Sequence, residues 1–462
     1  MGIETFLLKG MEKLLSHFLS GKIPIVLCIS VLVLSASACS KDNNNSGNSN
    51  NSGGNSSSTD SGGTYSQSNG TATLMSKTYS SSEIDLSAVK VTGGTLTLSN
   101  SKISSTGNTS STDNSSFYGL NAVILVYASS GSAVINSSGN TVTSSGKGAN
   151  GIFAYGSGAS STTTGDKFTM TGDGGHAIMC SGGGTITVKN DTAVTSGGSS
   201  STIATDRGGG TITLTGGVYT ANGNNSATIY STGKITCTDA TLVANGAEAL
   251  VIEGSNSITL NNCAVKCTYS KWGSLIYQSM SGDANGADGY LTMTGGSFTY
   301  TGTKGGMFYN TNSTAYITLN GVTLNNSCDT LVRCIKGSWG GSSASSGGIT
   351  YFVAKGQTLS GLIYVDASSK AYITLSSSSA FTGAIDKAKA AGTLTLTLDN
   401  TSIWTVTGTS YINGAISGLN ISNSTVSNIV GNGNNVYYLS SANSALGGKT
   451  YNLSGGGQLI PN

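Results

Sequence analysis

The feature that most restricts this chain is a short motif that returns many times. It reads as Gly or a small residue, then apolar, Thr, apolar, any residue, and finally Asn, Asp or Gly. It appears as GTLTLSN ending at Asn100, GTITVKN ending at Asn190, GTITLTG ending at Gly216 and GKITCTD ending at Asp239. Further copies end at Asn262, Gly295 and Gly321, and weaker ones lie near Leu375, Asn400 and Asn423. The first apolar positions, Ile186, Ile212, Ile235, Ile258, Leu291 and Ile317, are spaced by 26, 23, 23, 33 and 26. Such a period marks a solenoid in which each repeat is one coil.

Alternation within a copy places Ile and Leu on one face of a strand and Thr on the other. The closing Asn, Asp or Gly stands where left-handed backbone is needed, which Gly adopts freely and Asn or Asp tolerates. A single coil cannot bury its apolar face, whereas stacked coils share a continuous core. A second strand follows each first one, as ILVY to Tyr127, IFAY to Tyr155, ATIY to Tyr230, SLIY to Tyr277, GMFY to Tyr309 and GLIY to Tyr364. Here the alternation fails and both faces are apolar, as in parallel strands covered on both sides. After Tyr65 the one short helical pattern is Ala384 to Ala391 (AIDKAKAA). The expected body is an all-β, single-stranded parallel β-helix over residues 65–462, with rungs of 23 to 26 residues.

Composition fits short strands joined by polar turns. Charged residues make up 9%, Gly 67 and Pro 2, against the roughly 25% charged residues usual in soluble domains. The net charge of +2 is not gathered into any basic patch. Nucleic-acid binding needs many Lys or Arg on one face, so that partner is not expected.

The N-terminus reads as an export signal over residues 1–38. Ile23 to Leu34 is an apolar run preceded by Lys9, Lys13 and Lys22. It has the length of a signal-peptide core and falls short of the roughly 20 residues of a membrane span. Ala36-Ser37-Ala38 is an A-x-A site for ordinary signal peptidase. With Cys39 the same bond resembles a bacterial lipobox, although Ala36 stands where Leu is usual. Secretion without lipid therefore stays open beside lipidation at Cys39. Residues 39–64 then form a Ser/Gly/Asn-rich tether without core-forming residues. Ser40 after the cysteine resembles outer-membrane lipoproteins. The expected location is the outer membrane or cell surface, with the membrane as partner through the lipid.

The pattern over roughly residues 70 to 455 resembles the right-handed parallel β-helix family with a pectin-lyase-like fold, especially its adhesin-like surface members. That resemblance implies fold strongly and function poorly. Its polygalacturonase-like enzymes use clustered aspartates with Gly-His-Gly and Arg-x-Lys segments, which this sequence does not contain. His176, with Asp173 nearby, reads as a turn or strand-edge histidine more readily than as an acid–base group. Asp206, Glu253 and Asp366 each follow a second strand and are expected in one column, with Ser231, Gln278 and Asn310 between them. Asp283 and Asp288 share a loop, but two carboxylates make a poor calcium cage. Cys180, Cys237, Cys263, Cys267, Cys328 and Cys334 read as core thiols or disulfides, with Cys263/Cys267 and Cys328/Cys334 as possible local pairs and no metal spacing.

Two surface ladders carry the functional expectation. The first is Tyr127, Tyr155, Tyr230, Tyr277, Tyr309 and Tyr364, a stacking platform for sugar rings if it faces outward and core filling if it faces inward. The second is Thr97, Thr187, Thr213, Thr236, Thr259, Thr292, Thr318, Thr374 and Thr395. It resembles the ice-binding face of some solenoids and is equally the ordinary choice for a solvent-facing strand. The leading expectation is a non-catalytic, lipid-anchored surface protein with an adhesive or carbohydrate-binding role, towards extracellular or cell-wall glycan, without cofactor, metal or catalytic residue. The competing one is a polysaccharide lyase or glycoside hydrolase of the same fold. An ice-binding solenoid is the minor alternative.

Overall fold

The computed structural model describes residues 63–279, 281–339 and 347–462. Cys39, the export segment and nearly all of the tether lie outside the described residues. Each rung contributes one strand to each of three parallel sheets. A tyrosine sheet of 12 strands runs from Tyr65–Gln67 to Leu362–Val365, and a threonine sheet of 14 from Thr71–Met75 to Ile416–Ser417. A third sheet of 10 strands runs from Thr78–Ser81 to Thr323–Asn326. A nine-stranded sheet continues from Thr358–Ser360, passes through the antiparallel pair Tyr451–Ser454 and Gln458–Pro461, and returns through Val436–Tyr438 to Ser410–Ile412.

Register follows the repeat. Ile186 pairs with Ile212, then in turn Ile235, Ile258, Leu291 and Ile317. All six are at most 1% exposed. Burying each such side chain contributes roughly 1.5–3 kcal/mol, and stacking lets every rung complete its neighbour's core. The interval of 33 holds an inserted loop between Tyr277 and Asp288. The closing residues Asn100, Asn190, Asp239, Asn262 and Asn423 all have φ between 48° and 55°, the left-handed backbone the motif predicts. At Gly216 (φ 69°) a Cβ would lie 2.0 Å from Asn190 Oδ1, so a side chain there would have to displace the Asn190 amide.

Two local expectations are corrected. Residues 384–391 form a turn, because Asp386 and Lys389 take left-handed backbone and Asp386 accepts the Ala390 and Ala391 amides. Among the described residues an α-helix instead spans Thr112–Tyr118, where Ser111 caps the Asn114 amide and Gly119 ends it at φ 72°.

The third strand of each rung is the element the repeat did not announce. Its inward positions mix apolar with small polar residues, as in Ile103 with Ser105, Val142 with Ser144 and Ala193 with Thr195. The turn leading into it carries a buried polar ladder. Asn140 Oδ1 accepts the Ser101 amide at 2.8 Å, Asp166 Oδ1 the Asn140 amide at 2.7 Å, and Asp191 Oδ1 the Asp166 amide at 2.8 Å. Asn140, Asp166 and Asp191 are fully buried, and Asp191 Oδ2 has no hydrogen-bond partner.

Burial pushes the Asp191 carboxyl up to about 7 from 3.8, and pushes Asp166 up as well. The folded chain therefore keeps protons that the unfolded chain releases above its ordinary carboxyl value. The stability linked to them is present below pH 4 and is lost as pH rises towards 7. For a shift of this size the Asp191 contribution is on the order of 4 kcal/mol. Thermal denaturation between pH 4 and 8 should show a falling midpoint that Asp191→Asn flattens markedly; an unchanged slope in the variant would contradict the assignment.

Candidate functional site

The tyrosine sheet has apolar side chains on both faces. Its inward column includes Ile124, Ile152, Ile178, Ile203 and Ile229 and joins the central core. Its outer face carries two further clusters. One contains Leu125, Phe153, Met179 and Ala204, and the other Val251, Leu275, Tyr277 and Tyr309. Segments crossing outside the solenoid cover them. Helix Thr112–Tyr118 lies over the first, tied down by Ser181 Oγ donating to the Phe117 carbonyl and by the Arg207 guanidinium 3.8 Å from the Phe117 ring centre. Over the second, Trp339 packs on Tyr277 with ring centres 5.0 Å apart, and Asn312 Nδ2 donates to the Trp339 carbonyl.

The six tyrosines expected in one ladder divide between two outward columns. Tyr230, Tyr309 and Tyr364 continue the column of Phe153, Met179 and Ala204. Tyr127 and Tyr155 stand two residues further along the strand, as does Tyr277, which pairs with Glu253. The difference lies in register. In ILVY and IFAY the first Ile points inward and the Tyr is fourth, whereas inward Ile229, Phe308 and Ile363 each directly precede their Tyr. Aligning strands by their last residue therefore displaced three of them by two positions. All six point away from the central core; Tyr277 and Tyr309 are buried beneath the covering segments and the other four are half-buried.

Between the two covered patches an open groove runs along the turns that lead from the third sheet into the tyrosine sheet. Those turns stack in register: the Gly148 amide donates to Asp173, Gly174 to Gly198 and Ser199 to Asn224. One stretch of about 660 Å³ is walled by Thr112 and Ser116 of the helix and floored by Asp173, His176, Ser199 and Asn225. A second, of about 250 Å³, is walled by Tyr269, Lys271, Trp272 and Trp339. The two share Ser201, Asn225 and Tyr230. From Lys147 to Lys271 the groove crosses six rungs, about 24 Å at a rung spacing of about 4.8 Å.

Its chemistry is nearly neutral. Burial pushes the His176 imidazole down to about 4, and Nδ1 accepts the Ser201 amide at 2.9 Å, which leaves Nε2 to carry the proton. Lys147 and Lys271 face Asp173 and Glu248, and burial raises the Glu248 carboxyl. Beneath the floor Glu253 is 1% exposed and accepts hydrogen bonds from the Tyr230, Tyr277, Ser279 and Ser281 hydroxyls. The carboxylate thus holds both phenols inward and leaves the Tyr230 ring to the groove.

Of the carboxylates considered from sequence, Asp173 lines the groove and Glu253 lies beneath its floor, whereas Asp206 and Asp366 line neither stretch. Asp206 is half-buried, and its carboxyl is pushed up to about 7, first by burial and then by the charges of Asp283 and Glu253. Asp366 accepts the Lys336 and Ser368 amides elsewhere. Ser231, Gln278 and Asn310, placed between them in the sequence reading, are buried. Asp283 pairs with Arg207 at 2.8 Å, and among the described residues no group of three potential metal ligands occurs. The six cysteines are free and buried, so the local pairs are not formed.

The threonine column holds without interruption from Thr162 through Thr187, Thr213, Thr236, Thr259 and Thr292 to Thr318. Val353 follows, then Thr374 and Thr397; Thr395 lies one column over, beside Tyr372. Compared with known proteins, the chain matches no family model and no curated sequence.

Removing the Glu253 carboxylate should orphan two largely buried phenols, each costing about 1–3 kcal/mol. Denaturant titration of Glu253→Ala should therefore show a loss of several kcal/mol, with Glu253→Gln intermediate because its carbonyl still accepts. A loss below about 0.5 kcal/mol, the size of an ordinary surface change, would show that the clamp is not formed.

Proposed function

We propose that this is an exported, lipid-anchored, non-catalytic surface protein whose solenoid binds a linear, neutral glycan along the axial groove. The observation that carries this reading is the groove itself. It is long and open, parallel to the solenoid axis, floored by hydroxyl and amide groups with the Asp173 carboxyl and the His176 imidazole, and flanked by the rings of Tyr230, Trp272 and Trp339. Amphipathic sugar rings match aromatic faces on one side and hydrogen-bonding groups on the other. The near balance of charge favours neutral sugars over uronates. Support for export and the lipid comes from the residues around Cys39. A glycoside hydrolase of the usual kind needs an exposed pair of carboxyls, whereas Glu253 is sealed by four hydroxyls.

A glycan array followed by calorimetric titration should find neutral linear oligosaccharides that bind without being cleaved. Trp339, 40% exposed, should matter most: Trp339→Ala is expected to weaken binding about tenfold in a chain that circular dichroism shows to be still folded. Release of shortened or unsaturated products, or no binding to any neutral glycan, would defeat the proposal.

A further inference from the structure

A second aromatic array lies on the threonine sheet, away from the groove. Tyr290, Tyr316, Tyr351 and Tyr372 occupy one outward column on four consecutive rungs. Their ring centres are 4.8, 4.9 and 4.7 Å apart and their planes differ by 8°, 5° and 10°. Tyr290 is 44% exposed and the other three are half-buried. Each inner ring has a neighbour on both faces, so sugar stacking is blocked along the run. The column instead offers a strip of ring edges and hydroxyls about 14 Å long, three spacings of about 4.8 Å.

Ring edges carry the positive side of the aromatic quadrupole, and they favour contact with another π face in edge-to-face geometry. The neighbouring outward column reads Asp288, Thr314, Ile349 and Lys370 over the same four rungs. A carboxylate therefore stands beside the first ring of the strip and an ammonium beside the last, with Thr314 and Ile349 between them. The beginning of the strip favours a cation, and its end favours an electron-rich ring by cation–π attraction.

We infer that the Tyr290–Tyr372 strip is a binding site for a rod-shaped, planar conjugated molecule that is cationic at one end and electron-rich at the other. It lies along the solenoid axis with its cation at Asp288. The site is independent of the glycan groove, and its ligand class is different.

Thioflavin T has this shape and charge distribution and brightens when its rings are held coplanar, so it serves as the probe. Titrated into the monomeric fraction of the full chain, it should give a saturable fluorescence rise. The double substitution Tyr316→Ala/Tyr351→Ala should weaken binding at least tenfold. Asp288→Asn, which leaves every ring in place, should weaken it several-fold, and Trp339→Ala in the groove should leave it unchanged. Circular dichroism confirms that each variant is folded. No saturable signal, a signal that survives the double substitution, full affinity in Asp288→Asn, or loss in Trp339→Ala would each overturn the assignment.

Discussion

Everything in this protein depends on one constraint, that each rung pairs in parallel register with the next. Parallel pairing puts residue i of one coil beside its counterpart 20 to 39 positions on. Like then sits on like. Because the side-chain period of a strand is two, a slip by one residue would turn Ile235 and Ile258 towards water and Thr236 and Thr259 into the core. The buried isoleucines make that slip expensive. The left-handed turn residues help fix it, since Asn262 Nδ2 donates to Asp239 Oδ1 of the rung before it at 2.7 Å.

The same rule makes surface chemistry additive. A tyrosine repeated on four rungs becomes a stack, a carboxyl-bearing turn residue becomes a ladder of amide acceptors, and a stacked turn becomes a groove. The solenoid interrupts its own regularity where it has something to cover. The 106–121 segment carries the helix over the first patch, Trp339 lies over the second, and Arg207 lies over Phe117 while pairing with Asp283. The groove is the space left between these coverings, so its position is set by insertions more than by the repeat.

That division explains how much was legible in the sequence. The threonine strands were readable because each alternates cleanly and ends in a residue tolerant of positive φ, as at Asn190 and Asp239. The third strands were not, because positions such as Ser105, Ser144 and Thr195 are inward yet polar, so no alternation shows. The tyrosine strands were found but misaligned, since apolar residues on both faces remove the cue that fixes register. Of the groove lining, Asp173, His176, Tyr230 and Tyr277 are the residues that the sequence singles out. Its other walls come from loops far apart in the chain, and nothing in local spacing joins Thr112 to Asn225 or Trp339 to Tyr230. The Tyr290–Tyr372 strip did carry a signal: GYLTMTG, AYITLNG and AYITLSS place a Tyr at the same motif position.

The fold requires neighbouring rungs to lie one spacing apart in parallel register, and an engineered cross-link measures that directly. Thr187 and Thr213 are paired on adjacent rungs and both are exposed, while Thr236 lies one rung further. A disulfide spans Cα atoms about 4.4–6.8 Å apart, which matches one rung spacing of about 4.8 Å but not two. The double substitution Thr187→Cys/Thr213→Cys should oxidise to an intramolecular disulfide in a folded chain, whereas Thr187→Cys/Thr236→Cys should keep free thiols. Cross-linking of the second pair in preference to the first would contradict the stack.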